Sequence, residues 1–143
     1  MTLRVFISHN SKDDPFVSNL AEQLKEIGIN SFVDHIDIRA GQAFTTAVTH
    51  ALDECSKMIA VISDESCQSK YCMSEWVKFL EQTPQKEVIP FWLSGKDMIW
   101  IFQAIKYIDY RKSDPKAMKE LIEVLTDDDT NNTYVNTRVC YAL

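Results

Sequence analysis

Lys57-Met58-Ile59-Ala60-Val61-Ile62-Ser63 is the clearest central strand in the chain, an apolar run with no charge after its first residue. A stretch of this length and composition fits a strand buried on both faces, where side chains of both parities meet apolar neighbours. Residues 3–8 (LRVFIS) have the same look. Three further runs complete the set: residues 30–34 (NSFVD), 87–93 (EVIPFWL) and 105–110 (IKYIDY). Pro90 predicts that the fourth run ends early or lies near an edge, because proline cannot donate to a ladder.

Helical periodicity fills the gaps. Phe16, Leu20, Leu24 and Ile27 recur at helical spacing. Asp14 is the expected N-cap of that helix, Pro15 suits its first turn and Gly28 closes it. Phe44, Ala47, Val48, Ala51 and Leu52 mark a second helix ending near Cys55. A third is expected over residues 71–82, a short one over 97–104, and a last one over 117–125 with Met118, Leu121, Ile122 and Leu125 on one face. Residues 64–70 read as a polar loop.

Five strands interleaved with helices imply an α/β, flavodoxin-like three-layer fold: a five-stranded parallel sheet flanked by helices. Its 143 residues suit one domain of roughly 100–150 residues. Residues 1–126 form that domain. From Asp127 the pattern dissolves, and residues 127–143 read as a polar tail or the start of a linker.

The net charge of -6 argues against nucleic acid as a partner and against anionic membrane surfaces. No apolar run approaches the ~20 residues of a membrane helix. A strand-like segment begins at once, which leaves no room for a signal peptide and points to the cytoplasm. Cys55, Cys67, Cys72 and Cys140 are then free thiols. No Cys-x-x-Cys pair occurs, and His9, His35 and His50 lie far from the cysteines in sequence, so no metal site is expected. Asn131-Asn132-Thr133 matches a glycosylation sequon by chance.

In open parallel sheets, ligands bind beyond the carboxyl ends of the strands. That rule nominates residues 9–14, 34–44 and 63–70, and the loop after Leu93. Three segments there share a resemblance. Val5-Phe6-Ile7-Ser8-His9-Asn10-Ser11-Lys12-Asp13-Asp14 is the first. Phe32-Val33-Asp34, continued by Asp37-Ile38-Arg39-Ala40-Gly41, is the second. Ser63, followed by Ser69-Lys70-Tyr71-Cys72-Met73-Ser74-Glu75-Trp76, is the third. In this order they resemble the TIR (Toll/interleukin-1 receptor) domain family, and the likeness spans residues 3–125. They look like its opening strand, its glycine-tipped BB loop and the stretch that carries the catalytic glutamate of its enzymes.

The resemblance implies the bacterial-type NAD-cleaving branch of that family, in immune or defence signalling. Its enzymes cleave the nicotinamide–ribose bond of NAD to give ADP-ribose or a cyclic ADP-ribose isomer. NAD is then a substrate, and neither cofactor nor metal is implied. Glu75 corresponds to the catalytic carboxylate. Breaking an N-glycosidic bond builds oxocarbenium-like charge on the ribose, which a fixed carboxylate stabilises. Nicotinamide leaves as a neutral molecule, so no general acid is required.

Ser8, His9, Ser11, Asp34, Phe44 and Tyr71 are the implied substrate contacts. Arg39 and Gly41 belong to the loop that mediates homotypic TIR–TIR self-association, through which such sites are activated. At Tyr71 many members carry tryptophan, and Lys12 is the only cation of the first loop where some place arginine. Ser63 is a further candidate loop contact. Trp92, Trp100 and Phe102 read as core or interface residues.

Competing readings stand beside these. Glu75 as a plain helix residue would pair with Lys78 or Lys70 in solvent. Glu81 stands five residues after Trp76 and is a rival carboxylate. Other TIR domains are non-catalytic scaffolds that signal by assembly alone. A nucleoside deoxyribosyltransferase would also set a glutamate on a ribose. A phosphoreceiver needs acidic residues after the first strand and an aspartate ending the third; Ser8-His9 and Ser63 stand there instead.

Overall fold

The computed structural model describes residues 4–33, 44–82 and 86–126, with side chains except those of residues 44–47, 71 and 82. Strands β1 (Arg4–Ser8), β2 (Asn30–Val33), β3 (Lys57–Ile62), β4 (Glu87–Trp92) and β5 (Ile108–Asp109) form one sheet in the order β2-β1-β3-β4-β5. All four pairings are parallel. The helices are α1 (Asp14–Glu26), α2 (Phe44–Glu54), α3 (Asp64–Cys67), α4 (Lys70–Gln82) and α5 (Pro115–Leu125), with 3-10 turns at Ser11–Asp13 and Trp100–Phe102. The flavodoxin-like three-layer expectation holds.

The pleat explains the layers. Successive strand side chains point to opposite faces, so each strand feeds two cores. Val5, Ile7, Ile59, Val61, Ile89 and Phe91 pack with Val17, Leu20 and Leu24 of α1 and with Ala117, Leu121 and Leu125 of α5. The alternate residues Phe6, Met58, Ala60, Ile62, Val88 and Trp92 pack with Val48, Ala51 and Leu52 of α2 and with Cys72, Trp76 and Phe79 of α4. Continuous apolar strands are thus the direct consequence of helices on both sides.

Several boundaries differ from expectation. Asp13, not Asp14, occupies the N-cap position of α1, and Asp14 lies inside the first turn. That helix stops at Glu26, so Ile27 leaves the buried face and is 48% exposed, while Val17 joins it. Gly28 follows with φ +87, the left-handed conformation that ends helices.

Residues 64–67 are helical rather than looped, because Ser63 and Ser66 form a reciprocal capping box. Pro90 does not end β4, which continues to Trp92 one place in from the sheet edge. Edge strand β5 joins β4 only at Phe91 and Trp92, so it makes no pairing at Pro90 itself. The expected fifth strand shrinks to two residues, and the expected helix over 97–104 to one 3-10 turn.

Two lysines tie the amino-terminal side of the sheet to helix ends. Lys57 Nζ donates to the Val124 carbonyl at 2.8 Å, and Lys86 Nζ to the Leu52 carbonyl at 2.6 Å. Cations there satisfy otherwise orphaned carbonyls and complement the helix dipole. Asp34, His35, Arg39, Gly41, Cys140, the sequon and the tail 127–143 lie outside the described residues.

Candidate active site

The carboxyl end of β1 meets the buried face of α4. Cys72, Glu75, Trp76 and Phe79 make that face, at the i, i+3, i+4, i+7 spacing of a core stripe. Glu75 is therefore a carboxylate set where an apolar residue is the default. It is 2% exposed and lies in the second turn of the helix. Trp76 beside it is fully buried, its ring 5.2 Å from that of Phe102.

Burying a carboxylate is costly unless hydrogen bonds replace water. Ser8 supplies one: its Oγ–H donates to Glu75 Oε1 at 2.6 Å. Lys70, Lys78 and Glu81 are all exposed, whereas Glu75 is buried.

His9 is fully buried, and its Nε2–H donates to Asp14 Oδ1 at 2.5 Å. That contact ties the exit of β1 to the first turn of α1. The Asn10 side chain accepts from the Lys12 backbone N–H at 3.0 Å and caps the 3-10 turn. Asp13 accepts from Ser63 Oγ at 2.6 Å, linking β1's exit to β3's exit. Partial burial pushes the Asp13 carboxyl above its usual range, and the Ser63 bond opposes that rise.

Ser8 and Glu75 thus meet directly, with His9 adjoining them in the chain. Ser11 stands on the exposed turn nearby. Ser63 is a joint between turns rather than a loop tip. Phe44 and Tyr71 fall in the first turns of α2 and α4, and their side chains lie outside the description. So do Asp34, Arg39 and Gly41 entirely.

Toward the β5 edge, the loop after β4 is tied to the segment that follows β5. The Arg111 guanidinium stacks 3.5 Å from the centre of the Trp92 ring, pairs with both carboxylate oxygens of Asp109 and donates to the Gly95 carbonyl at 3.3 Å. Trp92 and Phe102 are core residues, whereas Trp100 is 68% exposed. Among the described residues, no group of three His, Cys, Asp or Glu is placed to hold a metal ion.

One feature of this site escaped the sequence reading: the Asp14 tie to His9 requires tertiary placement and has no local signature. Partial burial of Glu75 is expected from the sequence, and at 2% exposure the burial is nearly complete.

A family model described as the TIR domain matches residues 5–122. The chain belongs to the TIR domain family. This TIR domain is 29% identical over 94 residues to a probable 2' cyclic ADP-D-ribose synthase of Brachypodium distachyon, covering 64% of this chain and 41% of that protein. It is 35% identical over 74 residues to a disease resistance-like protein, CSA1, of Arabidopsis thaliana, covering 52% of this chain and 6% of that one. The matches therefore span less than half the length of these curated relatives. Among solved structures, the TIR domain of a Toll-related receptor from Hydra magnipapillata superposes with a TM-score of 0.76 at 21% identity, over 86% of this chain and 98% of that one. That likeness establishes the shared fold. Among the described residues, no helix of this TIR domain is long and apolar enough to cross a membrane.

Proposed function

We propose that this TIR domain cleaves the nicotinamide–ribose bond of NAD, in the manner of the bacterial-type enzymes its sequence resembles, within cytoplasmic defence signalling. The observation that carries this reading is Glu75, a carboxylate buried in an apolar helix stripe at the strand ends and held by Ser8. A fold gains little stability from such a group, so its presence favours a chemical role. The likeness to a plant protein named as a cyclic ADP-ribose synthase supports the same substrate.

In this scheme Glu75 stabilises the developing positive charge on the ribose as nicotinamide departs. The His9–Asp14 bond holds the exit of β1 in place, and His9, Ser11, Asp34, Phe44 and Tyr71 contact the substrate. Water or the adenine ring then captures the ribose, giving ADP-ribose or a cyclic isomer. At 2% exposure, Glu75 meets substrate only when the site opens. We assign that opening to self-association through the loop holding Arg39 and Gly41, and the working unit to residues 1–126.

The burial of Glu75 also favours a second reading, a non-catalytic scaffold in which the Ser8–Glu75 pair only fastens α4 to the sheet. Incubating the domain with NAD at high protein concentration, with products identified by mass spectrometry, separates the two. Nicotinamide together with linear or cyclic ADP-ribose is the expected outcome. No nicotinamide at any concentration, with self-association still lost on changing Gly41 or Arg39, supports the scaffold.

A further inference from the structure

Ser8 is the last residue of β1 and shares the parity of Phe6, whose side chain enters the core shared with α2 and α4. The pleat therefore turns the Ser8 hydroxyl toward α4. Its register partner on β3 is Ala60, small enough to leave room on that face. The hydroxyl meets Glu75 Oε1 at 2.6 Å, with Ser8 itself fully buried. An ionised carboxylate only accepts hydrogen bonds, so the one proton Ser8 can donate is committed to Glu75. The distance falls in the range of charge-assisted O–H···O bonds.

We propose that Ser8 is a positioning residue for Glu75 rather than a substrate contact: it anchors one carboxylate oxygen and so fixes the direction in which the carboxylate faces the ribose. This rests on the reading of Glu75 as the catalytic carboxylate. A glutamate has three rotatable side-chain bonds, and a shift of its carboxylate by a fraction of its own width is enough to misalign it. Ser8 restrains that shift from the end of an internal strand, where it stands in register with Ala60 of β3.

The test is steady-state nicotinamide release from NAD by the concentrated chain, comparing wild type, Ser8→Ala, Ser8→Thr and Glu75→Gln. Rates are scaled to the folded fraction measured by near-UV circular dichroism. The expected result for Ser8→Ala is a fall in kcat of about 10- to 100-fold, the scale of small misplacements of a reacting group, with KM within about twofold. The acid limb of its kcat/KM profile moves to higher pH, because a donor favours the charged carboxylate. Ser8→Thr, which keeps the hydroxyl, recovers most of the rate.

A Ser8→Ala variant with raised KM and unchanged kcat makes Ser8 a substrate contact and overturns the proposal. So does one that matches wild type, or one whose acid limb stays in place. If Glu75→Gln is as active as wild type, the catalytic reading itself fails, whatever Ser8 does. Absence of turnover in the wild type removes both.

Discussion

The Ser63 hydroxyl donates to Asp13 Oδ2 at 2.6 Å and so joins the exit of β3 to the turn that follows β1. The same oxygen accepts from the Ser66 backbone N–H at 3.1 Å, starting α3, while Ser66 Oγ accepts from the Ser63 backbone N–H at 2.8 Å. One side chain thus serves as a helix cap and as a brace between two strand ends. Replacing Ser63 by alanine is expected to cost about 1–2 kcal/mol, the usual range for a lost N-cap with a partly buried acceptor left behind. Urea denaturation measures it; an unchanged midpoint would show that neither bond contributes.

Asp13 and Asp109 respond to pH in opposite senses. Burial raises the folded-state pKa of Asp13 above its usual 3.8. The folded chain then holds that proton longer than the unfolded chain does, so stability from this group is full at low pH and declines as pH rises through the raised value. Asp109 is lowered to about 2 by its hydrogen bonds with Arg111. Its contribution is present above the usual value and is lost as pH falls toward 2, and its solvent exposure keeps it small. Asp13→Asn should flatten the decline above about pH 4, and Asp109→Asn the loss below it. Unfolding midpoints measured across that range that parallel wild type in both variants contradict the assignment.

Gly95 has φ +109, and a Cβ there would stand 3.2 Å from Asp64 Oδ1. Its carbonyl also accepts from Arg111, which stacks on Trp92. Gly95→Ala is expected to cost about 1–2 kcal/mol through left-handed backbone strain and to alter the near-UV signal of Trp92. Gly28→Ala is the control, since φ there is +87 with nothing within 4 Å. It should lose stability without the tryptophan change. Equal spectra for the two variants would argue against the coupling of loop and ring.

A buried carboxylate retained for chemistry is a cost to the fold. Glu75→Met places an apolar chain of similar length among Cys72, Trp76 and Phe79. It is expected to raise stability by about 1 kcal/mol or more while removing any turnover. A large loss of stability instead would identify the Ser8–Glu75 pair as a structural fastening.

Much of the fold was legible because both signals behind it are local. Apolar runs such as residues 57–63 announce strands covered on two sides, and the spacing of Leu20 and Leu24 announces the helix that covers them. Features set by neighbours were not. β5 keeps only Ile108 and Asp109 because it lies at the edge and pairs with β4 alone. Ile27 fits the helical period but falls beyond the end of α1. At the site, the motif around Glu75 singled out the residue, whereas its partner Ser8 stands 67 positions away. Only the folded chain brings the two together.

The most direct test of the central claim is nicotinamide release from NAD by the wild-type domain and by Glu75→Gln, at matched high concentration and with folding checked. The expected result is release by wild type and a fall of about 100-fold or more in the variant, the scale on which a catalytic carboxylate contributes. Equal rates from two folded proteins would contradict the role assigned to Glu75.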